Sequence, residues 1–313
     1  MEYSHSSVLL KEVIEGLNIK PSGIYMDGTT GGGGHSLAIA ERLTEGGKLY
    51  CFDQDEDAIA AAGERLKDYS GRTELIRANF SEAEELLKER GVKGLDGVLL
   101  DLGVSSYQLD NAERGFSYRY DAPLDMRMDR RQTLSASVIV NEWSEDEIFR
   151  IIRDYGEEKF AKNIAKHIVR ARSEKKIEST FELNDIIRAA IPARMRADGH
   201  PSKRSFQALR IACNRELEVL REVIEALPAF LNPGGRMAVI SFHSLEDRIV
   251  KTAFKTAQNP CTCPPGLPVC ACGRKPLGRC IGSKPVTAGE EELLENHRAA
   301  SAKLRIFERA EEI

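Results

Sequence analysis

Four glycines in a row, Gly31 to Gly34, stand just after the apolar run Gly23-Ile24-Tyr25-Met26, and a single acid, Asp53, ends the next apolar run, Lys48 to Phe52. Glycine lets the backbone turn tightly and lets a ligand lie directly against peptide groups. An acid at the end of the second strand of such a unit is placed to accept hydrogen bonds from ribose hydroxyls. The chemistry these residues support is the binding of a nucleoside-containing cofactor. They do not choose which one. NAD, FAD and S-adenosylmethionine all present ribose hydroxyls, and a glycine turn admits a small neutral or cationic group as readily as a pyrophosphate.

Further polar residues fall at the ends of later apolar runs: Asn79-Phe80, Asp101 to Ser106, and Ser241 to Arg248. In open α/β sheets, ligands bind beyond the C-terminal ends of the strands, so these residues belong with Gly31–His35 and Asp53. Phe80 can cover an adenine face, Asp53 can take the ribose, and Asp101 lies toward the reacting end, with Ser105, Ser106 and His243 near it in the topology. His243 has two readings, a catalytic group or a structural strand-end histidine, and His5 shares that ambiguity.

The elements that must position these residues follow from apolar periodicity. Helical spacing over Ser36–Leu43, Asp55–Lys67 and Ser81–Arg90 alternates with strands ending at Phe52, Ala78 and Leu100. Such alternation implies an α/β fold with a doubly wound, mostly parallel sheet. The pattern stops at residue 105. Ser144 and Glu147 then form a capping box before Ile148, Ile151 and Ile152, and Gly156 ends that helix. A second helix is expected from Glu157 to Ser173, and a third from Thr180 to just before Pro192. One long helix is expected from Phe206, on the stripe Phe206, Leu209, Cys213, Leu217, Leu220, Ile224 and Leu227. Strands at Arg236–Phe242 and Lys303–Glu308 complete the sheet. The core domain is therefore discontinuous, residues 1–104 and 206–313, with a small helical domain, residues 105–205, inserted after the fourth strand.

The 313 residues, 42% hydrophobic and 30% charged, have the make-up of an ordinary globular chain. No run approaches the roughly 18 apolar residues of a membrane span. The first residues lack the basic segment and apolar core of a secretory signal, so a cytoplasmic chain is expected. A net charge of −4 argues against a nucleic-acid coat protein, yet basic residues cluster. Residues 186–215 carry seven Lys or Arg against Asp198, residues 162–176 carry six against Glu174, and residues 255–288 carry five and no acid. Three such clusters in an acidic chain point to a phosphate-backbone ligand, although any one of them also reads as a solvated helix face. Seven cysteines include Cys261-x-Cys263 and Cys270-x-Cys272, with Cys280 nearby. In a reducing compartment this suggests metal rather than disulfides. Structural zinc more often uses a two-residue gap, so the alternative is a proline-rich loop (Pro260, Pro264, Pro265, Pro268) with free thiols. No metal is assigned to the reaction.

Longer blocks resolve the cofactor. Asp101-Leu-Gly-Val-Ser-Ser-Tyr-Gln-Leu-Asp110, Arg114-Gly-Phe-Ser117 and Asp121-Ala-Pro-Leu-Asp-Met-Arg-Met-Asp129 stand in order with His5–Glu12, Asp27–Ser36, Tyr155–Phe160, Arg204–Ile211 and Ser241–Arg248. Together they resemble the S-adenosylmethionine-dependent methyltransferases that modify N4 of a cytidine in bacterial small-subunit (16S) ribosomal RNA, over nearly the whole chain. The resemblance implies a class I, Rossmann-like methyltransferase domain that binds S-adenosylmethionine through Gly33, Gly34, His35, Asp53, Phe80, Asp101 and Gln108. Asp101 and His243 are the catalytic candidates, and the helical insertion is expected to hold RNA. The implied partner is 16S rRNA or the small ribosomal subunit, with no membrane and no DNA, and with a homodimer left open. Two departures stand out. Gly32 replaces a larger residue common in the family, and the cysteine segment occurs in only some members, so it is not expected to serve the chemistry. The Arg/Asp block 119–131 either pairs internally to fix a loop or guides RNA.

Three other functions share part of this pattern. A nucleotide-dependent oxidoreductase would keep the glycine turn and Asp53, and an RNA-binding assembly factor would bind the cofactor without transfer. A DNA cytosine-N4 methyltransferase would carry Pro-Pro-aromatic after the fourth-strand acid, where this chain has Leu102-Gly103-Val104.

Overall fold

A computed structural model describes residues 7–196, 200–264 and 271–311. His5 and Cys270 lie outside the described residues. In chain order the elements are α1 (Leu10–Leu17), β1 (Ile24–Asp27), α2 (Gly34–Ala40), β2 (Lys48–Asp53), α3 (Glu56–Leu66), β3 (Thr73–Arg77), α4 (Ala83–Glu89), β4 (Leu95–Asp101), α5 (Ser106–Asp110), α6 (Ala136–Glu142), α7 (Glu145–Asp154), α8 (Ala161–Glu174), α9 (Thr180–Ala190), α10 (Lys203–Asn214), α11 (Glu216–Phe230), β5 (Leu231–Ser241), α12 (Ser244–Gln258), β6 (Gly278–Val286), α13 (Glu290–Glu295) and β7 (Lys303–Arg309).

The strands form one sheet in the order β3-β2-β1-β4-β5-β7-β6. β1 to β5 run parallel, β7 is antiparallel to β5, and β6 is antiparallel to β7. The central parallel strands bury residues on both faces because helices cover both faces. Alternate residues serve different cores. Met26, Phe52, Val98 and Leu100 pack with α4 and α11, while Tyr25, Leu49, Cys51 and Leu99 pack with α1, α2 and α3. The strand order reverses between β1 and β4, which makes the C-terminal ends of β1, β2 and β4 the expected ligand crevice.

The chain divides into two compact units, Met1–Gly103 with Leu217–Ile313, and Val104–Glu216. The second unit is all helical and has its own core, built from Ile139, Ile148, Ile152, Ile164, Ile168, Leu183, Ile187 and Leu209. The capping box of Ser144 and Glu147 forms as expected and starts α7. α8 opens at Ala161 instead of Glu157, because Glu157 takes a left-handed φ of 48°.

The stripe from Phe206 to Leu227 corresponds to two helices. Arg215 adopts φ 51° and ends α10 before α11 begins. The stripe is continuous in sequence but serves two cores: Phe206, Leu209 and Cys213 pack in the helical unit, and Leu220, Ile224 and Leu227 pack on the sheet. The junction therefore falls after Glu216 and not at residue 205. β6 was not expected, because glycine and proline interrupt its apolar pattern.

Candidate functional site

The site is built where β1, β2 and β4 end. After β1, the Thr30 N–H donates to the Phe52 carbonyl at 2.9 Å and the Gly33 N–H donates to the Thr30 carbonyl at 2.8 Å, which closes the glycine turn against β2. Gly33 holds φ 80° at the head of α2, with the backbone of Ala62 only 3.2 Å from where a Cβ would stand. Gly28 is needed for space: a Cβ there would lie 2.5 Å from Leu100 Cδ2 and 3.1 Å from Phe80 Cβ. Phe80, half-buried after the Asn79 cap, thus sits over the end of β1.

Asp53 is oriented by its own turn. Its Oδ2 accepts from the Gly31 N–H at 2.8 Å and its Oδ1 from the Asp55 N–H at 2.9 Å. Burial nonetheless pushes its pKa up to about 6. Asp27, to which the sequence alone assigns no role, is buried at the end of β1. It accepts from Ser36 Oγ at 2.6 Å and from the Thr29 N–H at 3.1 Å, and burial raises its pKa to about 6 as well. Its position, the last residue of the first strand, was the signal that could have found it.

Asp101 ends β4, its N–H donating to Thr29 Oγ1 at 2.5 Å. Its Oδ1 is shut off from solvent and has no hydrogen-bond partner among the described residues. Burial, then the charges of Asp27 and Glu246, raise its pKa well above the usual carboxylate range. His35 lies beside it, with Nδ1 3.6 Å from Asp101 Oδ2. The other ring nitrogen, Nε2, is 2.9 Å from the Val8 carbonyl. A carbonyl only accepts, so the proton sits on Nε2. Burial lowers the His35 pKa to about 4 and keeps the ring neutral.

These residues amount to an electrostatic selection. Burial raises Asp27, Asp53 and Asp101, and neighbouring acids add to the rise at two of them, Asp27 at Asp53 and both Asp27 and Glu246 at Asp101. A pyrophosphate would add negative charge here. A cofactor bearing an ammonium and a sulfonium would relieve the strain, with ribose hydroxyls left to donate to Asp53. The orphaned Asp101 Oδ1 suits a cationic donor. The residues therefore fit S-adenosylmethionine better than NAD or FAD.

His243 stands at the head of α12. It caps α12, with Nδ1 3.5 Å from the Glu246 N–H, and Glu246 returns the contact by accepting from the His243 N–H at 3.3 Å and the Phe242 N–H at 2.8 Å. His243 Nε2 stands 3.1 Å from Glu246 Oε1 without hydrogen-bond geometry. Glu246, almost fully buried, is the second acid that the sequence reading passed over.

Gln108 belongs to the helical unit. It is buried in α5, where its Oε1 accepts from the Ser105 N–H at 3.0 Å and its own N–H donates to Ser105 Oγ at 3.2 Å. The Arg/Asp block is largely self-paired. Arg127 grips Asp125 with two hydrogen bonds of 2.8 and 2.9 Å, and Arg131 grips Asp129 at 2.8 Å. Burial would raise Asp125, but the Arg127 bonds leave it below the usual range. Arg114, itself buried, donates to the Arg127 carbonyl at 2.9 Å. The block thus fixes the irregular segment between α5 and α6. Exposed cations remain elsewhere in this unit: Lys162, Lys166 and Arg170 at four-residue spacing on α8, with Arg188, Arg194 and Lys203 beyond. Tyr118 stacks on His200 at 4.2 Å, and Tyr120 and Phe181 are exposed, with the Phe181 N–H bonded to Asp121.

The sequence matches the MraW methylase family over residues 2–310. A ribosomal RNA small subunit methyltransferase H of Lachnospira eligens is 61% identical over 99% of this chain and 98% of its own length. A protein of the same name from Agathobacter rectalis is 58% identical over 99% of both. Among solved structures, an rRNA methylase from Streptococcus thermophilus aligns over 96% of this chain and 94% of its own, at 12% identity and a TM-score of 0.41.

Proposed function

The chain belongs to the MraW methylase family, and from that membership we propose that it transfers a methyl group from S-adenosylmethionine to N4 of a cytidine in small-subunit (16S) ribosomal RNA. It is an S-adenosylmethionine-dependent rRNA methyltransferase by its relatives. The observation that carries the cofactor part is the acid-rich end of β1, β2 and β4, with Asp101 Oδ1 unpartnered among the described residues.

In this reading Asp53 takes the ribose hydroxyls, Phe80 lies against the adenine, and Gly33, Gly34 and His35 line the turn. Asp101 holds the methionine end. Gln108 is kept as a cofactor contact on the family resemblance. When bound, S-adenosylmethionine supplies an electrophilic methyl. What remains for the protein is the poor nucleophile: the N4 lone pair of cytosine is delocalised into its ring. The chain must hold N4 in line and accept from its N–H groups, and such positioning contributes roughly 7–11 kcal/mol. The base must leave its stack to reach a pocket. Asp101 is also the candidate to accept the N4 proton, from its place at the end of β4 where the methionine end is held in this reading. His243 enters as a positioning residue that fixes Glu246 and the end of β5.

The helical unit is proposed to hold RNA. Its support is the exposed cation row of α8 together with Tyr120 and Phe181, which combine backbone charge with stacking faces. A DNA substrate is disfavoured by the residues after Asp101, Leu102-Gly103-Val104, where DNA cytosine-N4 methyltransferases usually carry Pro-Pro-aromatic. No helix of the described residues is long and apolar enough to cross a membrane, and the proposed compartment is the cytoplasm, where ribosomal subunits are assembled.

The test is transfer of labelled methyl from S-adenosylmethionine to small ribosomal subunits from cells lacking this protein, with product nucleosides identified by mass. Label in N4-methylcytidine is expected. Label in another nucleoside, or none despite S-adenosylhomocysteine binding, would overturn the acceptor.

A further inference from the structure

We infer that Cys261, Cys263 and Cys272 hold a divalent cation of the zinc class, a site separate from methyl transfer. The three sulfurs all lie within 4.8 Å of one another, and Cys261 and Cys272 are 3.9 Å apart at sulfur. Ligand sulfurs about 2.3 Å from a tetrahedral ion are about 3.8 Å from each other, so Cys261 and Cys272 stand at the separation such an ion imposes and Cys263 lies within about an ångström of it. A disulfide needs about 2.0 Å.

The surroundings agree. The Ala271 N–H donates to Cys263 Sγ at 3.3 Å, the kind of backbone support that ligand sulfurs receive around a metal. The described residues of the segment between α12 and β6 have little else to hold them. None of its described residues from Asn259 to Leu277 is buried. Its ends are pinned, with the Leu277 N–H on the Ala257 carbonyl at 2.9 Å and the Cys280 N–H on Gln258 Oε1 at 2.7 Å. A segment without a core is where a small metal site replaces hydrophobic burial. Three thiolates and a divalent ion leave one negative charge, and Arg274 and Lys275 follow directly in sequence. Thiolate donors select zinc-class ions over magnesium or calcium. The one-residue gap of Cys261-x-Cys263 is tighter than the usual knuckle. The site is therefore read from the sulfur positions and not from spacing.

The experiment uses the full chain, purified without chelator from zinc-replete cells. Metal content is measured by mass spectrometry, and reactive thiols are counted before and after a strong chelator. About one zinc per chain is expected, with the cysteine thiols of the segment protected until the chelator removes it. Replacing zinc with cobalt should give the strong thiolate-to-cobalt absorption of a tetrahedral sulfur site. Cys272→Ser and Cys261→Ser should each lose the metal while keeping S-adenosylhomocysteine binding, which reports an intact fold. If either variant fails to fold, the wild-type metal count and thiol protection decide alone. Zinc below about a tenth of an equivalent would overturn the site. So would full thiol reactivity without chelator, or a Cys261–Cys272 disulfide in the purified protein.

Discussion

His35 Nδ1 stands 3.6 Å from Asp101 Oδ2, and with the Asp101 carboxyl ionised both atoms are acceptors. The Val8 carbonyl takes the His35 proton on the other ring nitrogen. Two lone pairs facing each other in a buried place need a proton or a cation from elsewhere. That relationship gives the site its sign and fixes several measurable outcomes.

The His35 ring should stay neutral to about pH 4, with the proton on Nε2. Its folded pKa lies below the unfolded value of 6.5. The stability it contributes is therefore present above pH 6.5 and lost as pH falls through about 4. Nitrogen-15 NMR of the ring should show no titration between pH 8 and 5. Protonation near 6.5 would contradict the arrangement.

Asp101→Asn should act in opposite directions on stability and binding. Replacing a carboxyl whose ionisation the site disfavours should leave the ligand-free protein no less stable in thermal melting. Losing a charged acceptor worth about 1.5–3 kcal/mol should weaken S-adenosylhomocysteine binding by about 10- to 100-fold. A variant that melts lower yet binds normally would assign Asp101 to the fold.

Asp53 should make cofactor affinity depend on pH. Its folded pKa is raised to about 6, so the ionised acceptor is lost as pH drops below that. S-adenosylhomocysteine should bind more weakly at pH 5 than at pH 7.5 in calorimetry, and Asp53→Asn should flatten that difference. The stability ledger runs the other way for this group: its contribution is present below the unfolded value of 3.8 and lost as pH rises through about 6. Asp53→Ala should also weaken binding without unfolding the chain.

Gly33→Ala should cost about 1–2 kcal/mol in chemical denaturation, because an L residue in the left-handed region is strained and the new methyl meets Ala62. Gly28→Ala should instead force Leu100 Cδ2, 2.5 Å from the new methyl, to shift and crowd Phe80, whose Cβ lies 3.1 Å away, and so reduce cofactor affinity more than Gly33→Ala does at equal stability loss.

On the helical unit, Lys162→Gln, Lys166→Gln and Arg170→Gln together should weaken RNA binding and lower its salt dependence by up to about one unit per lost phosphate contact. S-adenosylhomocysteine affinity should not change. An unchanged salt slope would remove α8 from the RNA surface.

Much of this was legible in sequence because strand ends in a parallel sheet are marked by abrupt polarity. Asp53 and Asp101 each follow an apolar run. Asp27 likewise ends an apolar run and Glu246 lies in the first turn of α12, but nothing local distinguishes an acid that shapes a field from one that caps a turn. His243 offered two readings, and its Nδ1 contact with the Glu246 N–H in the α12 cap gives the structural one its geometry. The stripe across Arg215 predicted one helix, because periodicity registers which face is apolar and not which core receives it. β6 escaped because Gly278, Gly282 and Pro285 break its alternation while β7 supplies the pairing.

The most direct test of the account is the crystal structure of this chain with S-adenosylhomocysteine. The account predicts ribose hydroxyls on Asp53, adenine against Phe80, and the methionine ammonium on Asp101 Oδ1. A ligand that leaves Asp101 Oδ1 unpartnered, or that places its adenosine away from the end of β2, would contradict it.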